Sequence, residues 1–496
     1  MFARRIGRRT LLASGAMLGL AGVLAACGQA ATPTSAPAKP AEAPKPAAEA
    51  GAPKPTEAPK PAEAAKPTEV PKPAEAPKPA AEPTKPAPAA AAPAPAKKGG
   101  VVKLLETPSA TVQAMNDDYT KKTGVKIEAE VIPQGVDSTA KLIASFNAGG
   151  SDYDAVRVDV IDLALYAASN WIDDVSAKWP KETQEDLLPF AKQAVTYKGK
   201  WYGMPKDSEW KTWIYNEKLL KDAGVAKAPE SWEEYVAASK AVQGKGLAKF
   251  GQTWGWTQGE NIACDYPALV ASLGGKYIDE GTDELLINKD AGVQALQFMV
   301  DWTNVDKIVD PASLTAKNVN SRDAQAAGDA VFGLHWGTPL AVLNDPAKSK
   351  VVNQCKMGLV PHKAGGPSWT VSGPECWAIS KGSKNKDDAW DYLVFRQGKD
   401  GSKRQFLGEG TVFGWKSLFD DPEVKAFATK SQIDFDVAKK QADNIVNRPM
   451  LPWYHEYSAA LQLELQNALT QQKKPQPALN DAVEAYNKIK QKATGR

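Results

Sequence analysis

The sequence has few cysteines, few histidines and almost no net charge. Its 496 residues include four cysteines, three histidines, 61 basic and 58 acidic residues, which leaves a formal net charge of +3 at pH 7. A charge this close to zero argues against nucleic acid as a partner, because binding to phosphates requires a strongly basic surface. His335, His362 and His455 are far apart and none has a second ligand at metal spacing, so we expect neither a metal site nor a cofactor.

The motifs of common enzyme classes are also missing. The chain contains no G-x-S-x-G elbow and no phosphate-binding P-loop. The adjacent acidic pairs, Glu233 with Glu234 and Asp387 with Asp388, stand at helix starts, where they favour the helix dipole and cannot flank one bond. The sequence therefore predicts a protein that is not an enzyme. A glycoside hydrolase, which would carry tryptophans and carboxylates in a cleft, stays open as an alternative.

No run after residue 26 is hydrophobic enough to span a bilayer. The N-terminus instead combines basic residues, a short apolar run from Leu11 to Ala26 and the sequence Leu-Ala-Ala-Cys that ends at Cys27. This order predicts an export signal peptide over residues 1–26. Leu-Ala-Ala-Cys resembles a bacterial lipobox, which makes Cys27 the predicted lipidation site and membrane anchor. Arg8-Arg9 resembles a twin-arginine signal, and the choice between Tat and Sec export stays open.

Residues 27–98 form a region of low complexity. From Ala30 to Lys98 the chain is almost wholly Ala, Pro, Lys, Glu and Thr. This composition cannot bury apolar surface, and it predicts a polyproline-like spacer. If extended at about 3.1 Å per residue, the spacer would reach on the order of 200 Å. Such a stalk would hold the remaining residues away from a membrane, and it also leaves a purely structural surface protein open as an alternative.

Residues 99–496 begin with a repeated order of strand, helix and strand. The run VVKLLE is followed by a helical pattern from Ser109 to Lys122, which Gly124 ends, and then by the alternating run VKIEAEV. A second unit follows, with Leu142 and Phe146 on a helix and then the run YDAVRVDV. This order predicts a parallel sheet with right-handed crossovers. The segment is too long for one ordinary domain and has the length of two lobes.

Later segments predict further helices. They also contain two cysteines whose pairing the sequence does not decide. Ser231 and Glu234 form a predicted capping box, and the chain ends in two amphipathic patterns. In the run SKNKDDAWDYLVF the predicted inner face of a helix carries Ala389, Trp390, Leu393 and Val394. Cys355 and Cys376 lie in two strand-like runs that could be neighbours, so a disulfide between them is an open expectation outside the cytoplasm.

Four segments, taken in order, resemble a known family. They are FNAGGSDYDAVRVDVIDLALYAASNWIDDV, the stretch from YKGKWYGMP to ESWEEY, GDAVFGLHWG and ISKGSKNKDDAWDYLVF. These are similar to segments of the extracellular solute-binding proteins of ABC importers, in the branch that includes maltose-binding protein. The resemblance implies an α/β, two-lobe, periplasmic-binding-protein-like (type II) fold with a ligand cleft between the lobes. It implies residues 99–209 and 355–400 in lobe 1, and residues 210–354 and 401–496 in lobe 2.

The resemblance also implies a function. The protein would be a lipid-anchored monomer on the outer face of the cytoplasmic membrane, whose lobes close on a carbohydrate, expected to be an oligosaccharide. The permease subunits of an ABC importer would receive the ligand. A polyamine is the alternative ligand, because tryptophan faces and carboxylates can also enclose a cation. The chain would cross between the lobes near Asp207–Thr212, near Cys355 and near Gln397–Lys403.

The candidate ligand-binding residues are aromatic and acidic. The stretch KWYGMPKDSEWKTWIYN would contain the first crossing, and in it Trp213 and Tyr215 are expected to be core because they alternate on one strand face. Acidic residues at the carboxyl ends of strands would face the cleft and accept hydrogen bonds from hydroxyls, although Asp162 has the alternative role of a helix cap. The expected ligand-binding residues are Glu106, Asp159, Asp162, Asp207, Glu209, Trp210, Trp254, Trp256, Trp336 and Trp453.

Overall fold

The computed structural model describes residues 100–132, 138–150 and 152–495. The predicted signal peptide, Cys27 and the spacer lie outside these residues. The described part is a mixed α/β structure whose strands are β1 (Val101–Leu105), β2 (Lys126–Glu130), β3 (Ala155–Asp159), β4 (Thr196–Tyr197), β5 (Lys200–Trp201), β6 (Met204–Asp207), β7 (Lys211–Asn216), β8 (Phe250–Gln252), β9 (Ile278–Asp279), β10 (Glu284–Leu285), β11 (Ala330–Trp336), β12 (Cys355–Gly358), β13 (Thr370–Ser372), β14 (Glu375–Ile379) and β15 (Ile445–Asn447).

The α-helices of the described residues are α1 (Ala110–Thr123), α2 (Ser138–Asn147), α3 (Val160–Ala168), α4 (Lys181–Glu185), α5 (Pro189–Gln193), α6 (Glu217–Ala223), α7 (Trp232–Gly244), α8 (Glu260–Ser272), α9 (Asp290–Asn304), α10 (Asn318–Ala326), α11 (Leu340–Leu343), α12 (Lys386–Gln397), α13 (Lys399–Glu409), α14 (Pro422–Lys430), α15 (Phe435–Ala442), α16 (Tyr454–Leu469) and α17 (Pro475–Thr494). Short 3₁₀ helices lie at Ser176–Lys178, Pro311–Leu314 and Lys416–Asp420. None of these helices is both long and apolar enough to cross a bilayer.

The first lobe is built on a five-stranded sheet with the order β2-β1-β3-β14-β6. Strands β1, β2 and β3 are parallel, which confirms the predicted strand, helix and strand units. Helix α1 begins after Ser109, whose side chain accepts a hydrogen bond from the Val112 N–H, and ends at Gly124 in the left-handed conformation. Strand β14 runs antiparallel to both β3 and β6, so a later segment of the chain completes this sheet.

The second lobe is built on a four-stranded sheet with the order β12-β7-β11-β8. Here the structure differs from the expected lobe boundary at residue 355. Strand β12, which begins at Cys355, pairs antiparallel with β7 and therefore belongs to the second sheet. The chain enters the first lobe only after Gly358, because β14 is the next strand that pairs in the first sheet.

Three segments that connect the lobes lie side by side. The first joins β6 to β7, the second contains β13 and the third contains β15. Strands β13 and β15 pair in parallel, and Trp210 of the first segment forms an isolated bridge with Ser372 at the end of β13. The third crossing was expected near Gln397–Lys403, but α12 and α13 pack with α1 on the first lobe. The chain therefore returns to the second lobe through β15.

Two large hydrophobic cores support the fold, one centred on each main sheet. Leu104, Val158 and Trp377 lie in the core around the first sheet, and Trp213 with Trp232 in the core of the second. Trp213 is 1% exposed, and Tyr215 packs partly buried against the same core. On α12 the inner face differs from the expected one, since Val394 is 46% exposed. Val394 lies five residues after Ala389, a rotation of about 140° in an α-helix, which turns it away from the buried stripe.

The disulfide that the sequence left open between Cys355 and Cys376 is not present in the described structure. Both cysteines, like Cys264, are buried and free. Both do lie on strands, but Cys355 is on the edge strand of the second sheet and Cys376 is on β14 of the first. Burial raises the pKa of the Cys355 thiol to about 12 and also raises the pKa of Cys376, so both thiols stay protonated.

Candidate functional site

Three acidic residues meet at one edge of the first sheet. Asp159 ends β3, Asp207 ends β6, and Glu375 begins β14 between them. The pairing places Glu375 opposite both aspartates. Because β3 and β6 both run antiparallel to β14, their carboxyl ends and its amino end share this edge, which faces the other lobe. The structure therefore brings together two residues expected from the sequence, Asp159 and Asp207, and adds Glu375.

Two cations lie within this acidic edge. Arg157 binds Glu375 through two of its nitrogens, with an Nε to Oε2 distance of 2.5 Å. Lys206 Nζ lies 2.5 Å from Asp207 Oδ2 and 3.0 Å from Glu375 Oε2. Burial raises the pKa of Asp207, and the charge of Lys206 opposes that rise. The carboxylates of Asp207 and Glu375 are therefore already compensated by cations of the same lobe.

Glu209 lies in the first crossing segment and has a carboxylate that nothing in the described part of the chain satisfies. Its backbone carbonyl accepts a hydrogen bond from the Gly373 N–H at 3.0 Å. Its Oε1 lies 3.0 Å from where a Cβ on Gly337 would stand, so glycine at 337 gives the carboxylate room. Burial raises the pKa of Glu209 to about 7, and the nearby Asp207 and Glu375 add to the shift.

Trp336 ends β11, directly before Gly337, and is half-buried. Its ring lies against Gly373, where an added Cβ would come within 2.8 Å of the indole. The ammonium of Lys211 lies 5.2 Å from the ring centroid, and Lys211 is itself paired with the buried Asp265. A cation–π contact and a close backbone therefore hold the ring at the junction of the lobes.

Arg448 connects the two lobes at the same junction. It follows β15 and is 4% exposed. Its Nη2 lies 2.7 Å from Asp159 Oδ1, and its Nη1 lies 3.0 Å from Oε1 of Glu260, the first residue of α8. Burial raises the pKa of Asp159 to about 6, although Arg448 opposes this. Arg448 carries no periodic signal in the sequence, because it lies in a short connection rather than on the face of a helix or strand.

A second contact between the lobes involves Asp162. Its Oδ1 lies 2.6 Å from Nε2 of His455 on α16, and its side chain is 3% exposed. The hydrogen bond to Asp162 raises the pKa of His455. The cap of α3 is Asp159, whose side chain accepts from the Ile161 N–H, so the cap role considered for Asp162 is not the one it has. Asp162 therefore joins the lobes instead of facing an open surface.

Two other residues expected to bind the ligand, Glu106 and Trp210, make their contacts inside the first lobe instead. Their expected role in the ligand site is therefore corrected. Glu106 forms two 2.6 Å hydrogen bonds with the buried Arg396 inside the first lobe. Trp210 is 5% exposed and packs edge-on against Phe190. Its place in the crossing segment agrees with the expected position, but its ring turns into the first core.

The tryptophans expected at the site from the second lobe also pack into or against its hydrophobic core, with the exception of Trp336. Trp254 and Trp256 are 1% and 0% exposed, and their rings stack at a centroid distance of 4.8 Å. They are core residues, because the glycine-rich loop that carries them is covered by neighbouring elements of the lobe. Trp453 is half-buried and packs against the second core at the start of α16. Of the tryptophans expected at the site, Trp336 is the one whose ring, in the described structure, lies against Gly373, the residue that donates a hydrogen bond to the Glu209 carbonyl.

Comparison with known proteins shows that the chain is similar to bacterial solute-binding proteins. Residues 104–403 match the family model of the bacterial extracellular solute-binding protein. A probable ABC transporter-binding protein of Deinococcus radiodurans is 25% identical over 373 residues, which cover 73% of this chain and 86% of that protein. An erythritol/L-threitol-binding protein of Mycolicibacterium smegmatis is 21% identical and covers 65% of this chain and 72% of its own length.

Two solved structures show the same fold. Maltose-bound MalE3 of T. maritima superposes with a TM-score of 0.68 and 24% identity, covering 79% of this chain and 99% of that one. A solute-binding protein of Agrobacterium radiobacter K84 in complex with ribitol gives a TM-score of 0.67 with 22% identity, covering 79% and 99%. The two-lobe α/β architecture with a cleft between the lobes is thus shared with both.

Proposed function

The chain belongs to the family of bacterial extracellular solute-binding proteins, and on this premise we propose that it captures a short carbohydrate or polyol between its lobes for an ABC importer. The observation that carries the proposal is that an unpaired carboxylate, Glu209, and a half-buried indole ring, Trp336, both lie close to the Gly337 and Gly373 backbone at the junction of the lobes. An unsatisfied carboxylate accepts hydrogen bonds from hydroxyls, and an indole ring packs against the C–H face of a sugar. Clefts between lobes are favoured sites for small ligands.

The energetics require more than ring stacking. Covering about 60 Å² of apolar sugar surface at ~25 cal/mol/Å² contributes roughly 1.5 kcal/mol, whereas a micromolar Kd needs about 8 kcal/mol. Hydrogen bonds to charged groups must supply the rest, and the carboxylates of Asp159 and Glu209 are the candidates that we propose for them. Closure of the lobes would bring these groups around the ligand, and the closed form would present a new surface to the permease.

The ligand is proposed to be shorter than the oligosaccharide expected from the sequence. A long chain of sugars needs several exposed aromatic faces, but Trp210, Trp254 and Trp256 are buried. Of the expected tryptophans in the described structure, Trp336 and Trp453 are the half-buried ones, and Trp453 packs against the second core, so we propose Trp336 as the stacking surface. The relatives include a protein named for erythritol and L-threitol and a structure that holds ribitol. Both names support an open-chain polyol, and the maltose held by MalE3 of T. maritima supports a ligand of two rings.

The location of the protein is proposed from the sequence and the family. Cys27 would carry the lipid, and residues 27–98 would tether the folded lobes at the outer face of the cytoplasmic membrane. Growth with a radiolabelled fatty acid should label the wild-type protein and not a Cys27→Ala variant, which should also appear in the soluble fraction. Label retained by the variant would contradict lipidation at this residue.

The binding proposal is tested by ligand-induced stabilisation of the full chain. Thermal unfolding would be measured with polyols, mono- and disaccharides, longer oligosaccharides and diamines. At a ligand concentration of 100 Kd, linkage predicts about 2.7 kcal/mol of stabilisation. Trp336→Ala and Glu209→Gln should abolish the shift. Trp171→Ala serves as the matched control, because Trp171 is also half-buried but stacks on Phe146 within the first lobe. A shift that survives in both site variants would contradict the proposed site.

A further inference from the structure

Arg448 lies between two carboxylates that belong to different lobes. Asp159 on the first lobe and Glu260 on the second both point at its guanidinium, with nitrogen to oxygen distances of 2.7 and 3.0 Å. These are also the distances at which an ammonium group binds a carboxylate. A pair of carboxylates on opposite lobes is a suitable site for a diamine, and the side chain of Arg448 occupies it.

The groups around Arg448 hold it firmly in this position. Oε1 of Glu260 also accepts a hydrogen bond from the Tyr454 hydroxyl at 2.5 Å, and its Oε2 accepts one from Ser458 at 2.7 Å. Gly373 lies next to the guanidinium, since an added Cβ would stand 3.5 Å from Arg448 Nη2. The same glycine touches Trp336. The guanidinium therefore lies directly beside the proposed stacking surface and not in a remote part of the fold.

The carboxylate of Asp159 is only partly used by this contact. Its Oδ1 accepts from Arg448 and from the Ile161 N–H, while its Oδ2 has no donor in the described part of the chain. The side chain is 33% exposed. Oδ2 is therefore available to the hydroxyl of an uncharged ligand, although the charge of the carboxylate is already compensated by Arg448.

We infer that Arg448 is the residue that sets the charge class of the ligand. By compensating Asp159 and Glu260 it makes the cleft accept uncharged polyhydroxy compounds and exclude organic dications. The other cations of the acidic edge, Arg157 and Lys206, pair with Glu375 and Asp207 within one lobe. Arg448 alone among these three cations bridges the lobes. This inference rests on the proposed function, because it names the property that separates a carbohydrate site from a polyamine site in the same fold.

The test removes the charge of Arg448 and measures diamine binding. Arg448→Met leaves two facing carboxylates without a cation, a costly arrangement that an added dication relieves. Isothermal titration calorimetry of the full chain with 1,4-diaminobutane should show at least about a tenfold gain in affinity over the wild type. Arg448→Lys keeps the charge and should still exclude the diamine. Arg396→Met is the matched control, since it removes an equally buried arginine from its pair with Glu106 away from the cleft.

The converse variant tests the same inference without removing Arg448. Asp159→Asn combined with Glu260→Gln leaves the guanidinium uncompensated, so the cleft should gain affinity for gluconate, a polyhydroxy carboxylate, by about tenfold or more. A folded Arg448→Met protein whose diamine affinity stays within about twofold of the wild type overturns the inference. If Arg448→Met does not fold, the absence of a gain for gluconate in the double variant overturns it instead.

The two proposals fail in different ways. A wild-type protein that binds no carbohydrate or polyol, together with a diamine gain in Arg448→Met and none in Arg396→Met, would reject the proposed function and support the role of Arg448. The opposite result is a carbohydrate ligand for the wild type, no gain in diamine affinity for Arg448→Met and no gain in gluconate affinity for the double variant. It would support the proposed function and reject the role of Arg448.

Discussion

Glu209 and Asp159 are carboxylic acids whose surroundings favour the protonated form. Burial raises the pKa of Glu209 to about 7 and that of Asp159 to about 6. Between the ordinary pKa of an exposed glutamic acid, about 4.3, and the raised value, the folded state binds more protons than the unfolded state. The free energy of unfolding contributed by Glu209 is therefore largest at low pH and falls as the pH rises through this window.

We predict that Glu209→Gln changes the pH dependence of stability in a defined direction. Glutamine mimics the protonated acid, so the variant should gain stability relative to the wild type as the pH rises from about 4.3 to about 7. The gain should then level off, and urea unfolding at closely spaced pH values measures it. Glu182→Gln, at an exposed position of α4, is the control and should show no such trend. A difference between wild type and Glu209→Gln that is flat with pH would contradict the assignment.

At single positions, the sequence predicted the residues that follow local rules. Trp213 is core because it alternates along a strand, and Asp159 and Asp207 face the cleft because strands end there. Trp254 and Trp256 could not be placed, since neighbouring glycines indicate a loop and do not reveal that other elements cover it. Glu375 and Arg448 were missed because their role comes from pairing with residues more than two hundred positions away.

At the scale of elements, glycines show where a helix must approach another segment closely. Gly292 lies in α9, and a Cβ there would stand 1.9 Å from the carbonyl oxygen of Ile287. Because that oxygen belongs to the backbone, it cannot move aside cheaply. Gly244 ends α7 and has no atom within 4 Å of the same position. The two glycines therefore have opposite tolerance for a methyl group.

We predict that Gly292→Ala lowers the free energy of unfolding by about 1–3 kcal/mol, the usual cost of overpacking. Gly244→Ala should leave it unchanged or raise it by up to about 1 kcal/mol, since alanine restricts the unfolded chain more than glycine does. Denaturant unfolding of both variants beside the wild type makes the comparison. Equal effects of the two substitutions would show that the close approach at Gly292 is not maintained.

Helices were predicted more accurately than the membership of strands in sheets. Ser109 and Gly124 bound α1, and Ser231 with Glu234 forms the capping box of α7, because caps are read from neighbouring residues. The strand β12 was also recognised as a strand. Its sheet was assigned wrongly, because a strand of four residues shows its period but not its partner. The pairing of β12 with β7 determines which sheet β12 joins, and this pairing depends on the whole fold.

At the scale of the molecule, the first hydrophobic core is shared by both lobes. It contains Cys376 and Trp377 from the first sheet, and also Cys355 and Met357 from the second. Phe413 and Phe419, which precede β15, belong to the same core. The lobes are therefore joined by packing behind the crossing segments as well as by the polar contacts in the cleft.

We predict that this shared core makes Cys355 and Cys376 accessible together. Both thiols are buried in the native state, so neither should react with an alkylating reagent before unfolding. In increasing urea, mass spectrometry of the labelled peptides should give the same midpoint for the two cysteines. A clearly lower midpoint for one of them would mean that its lobe opens independently. The native protein should also show the same melting temperature with and without a reducing agent.

The path of the chain has a consequence for how the protein is made. The first core includes residues as late as Ala442, and the second is closed by helices that extend to Tyr486. A ribosome builds the chain from its N-terminus, so strand β1 is synthesised long before the residues that cover its lobe. The second lobe cannot finish folding until most of α17 has emerged, because α17 supplies Ala478, Leu479 and Tyr486 to its core. The last part of the second core is therefore added only when synthesis of the chain is nearly complete.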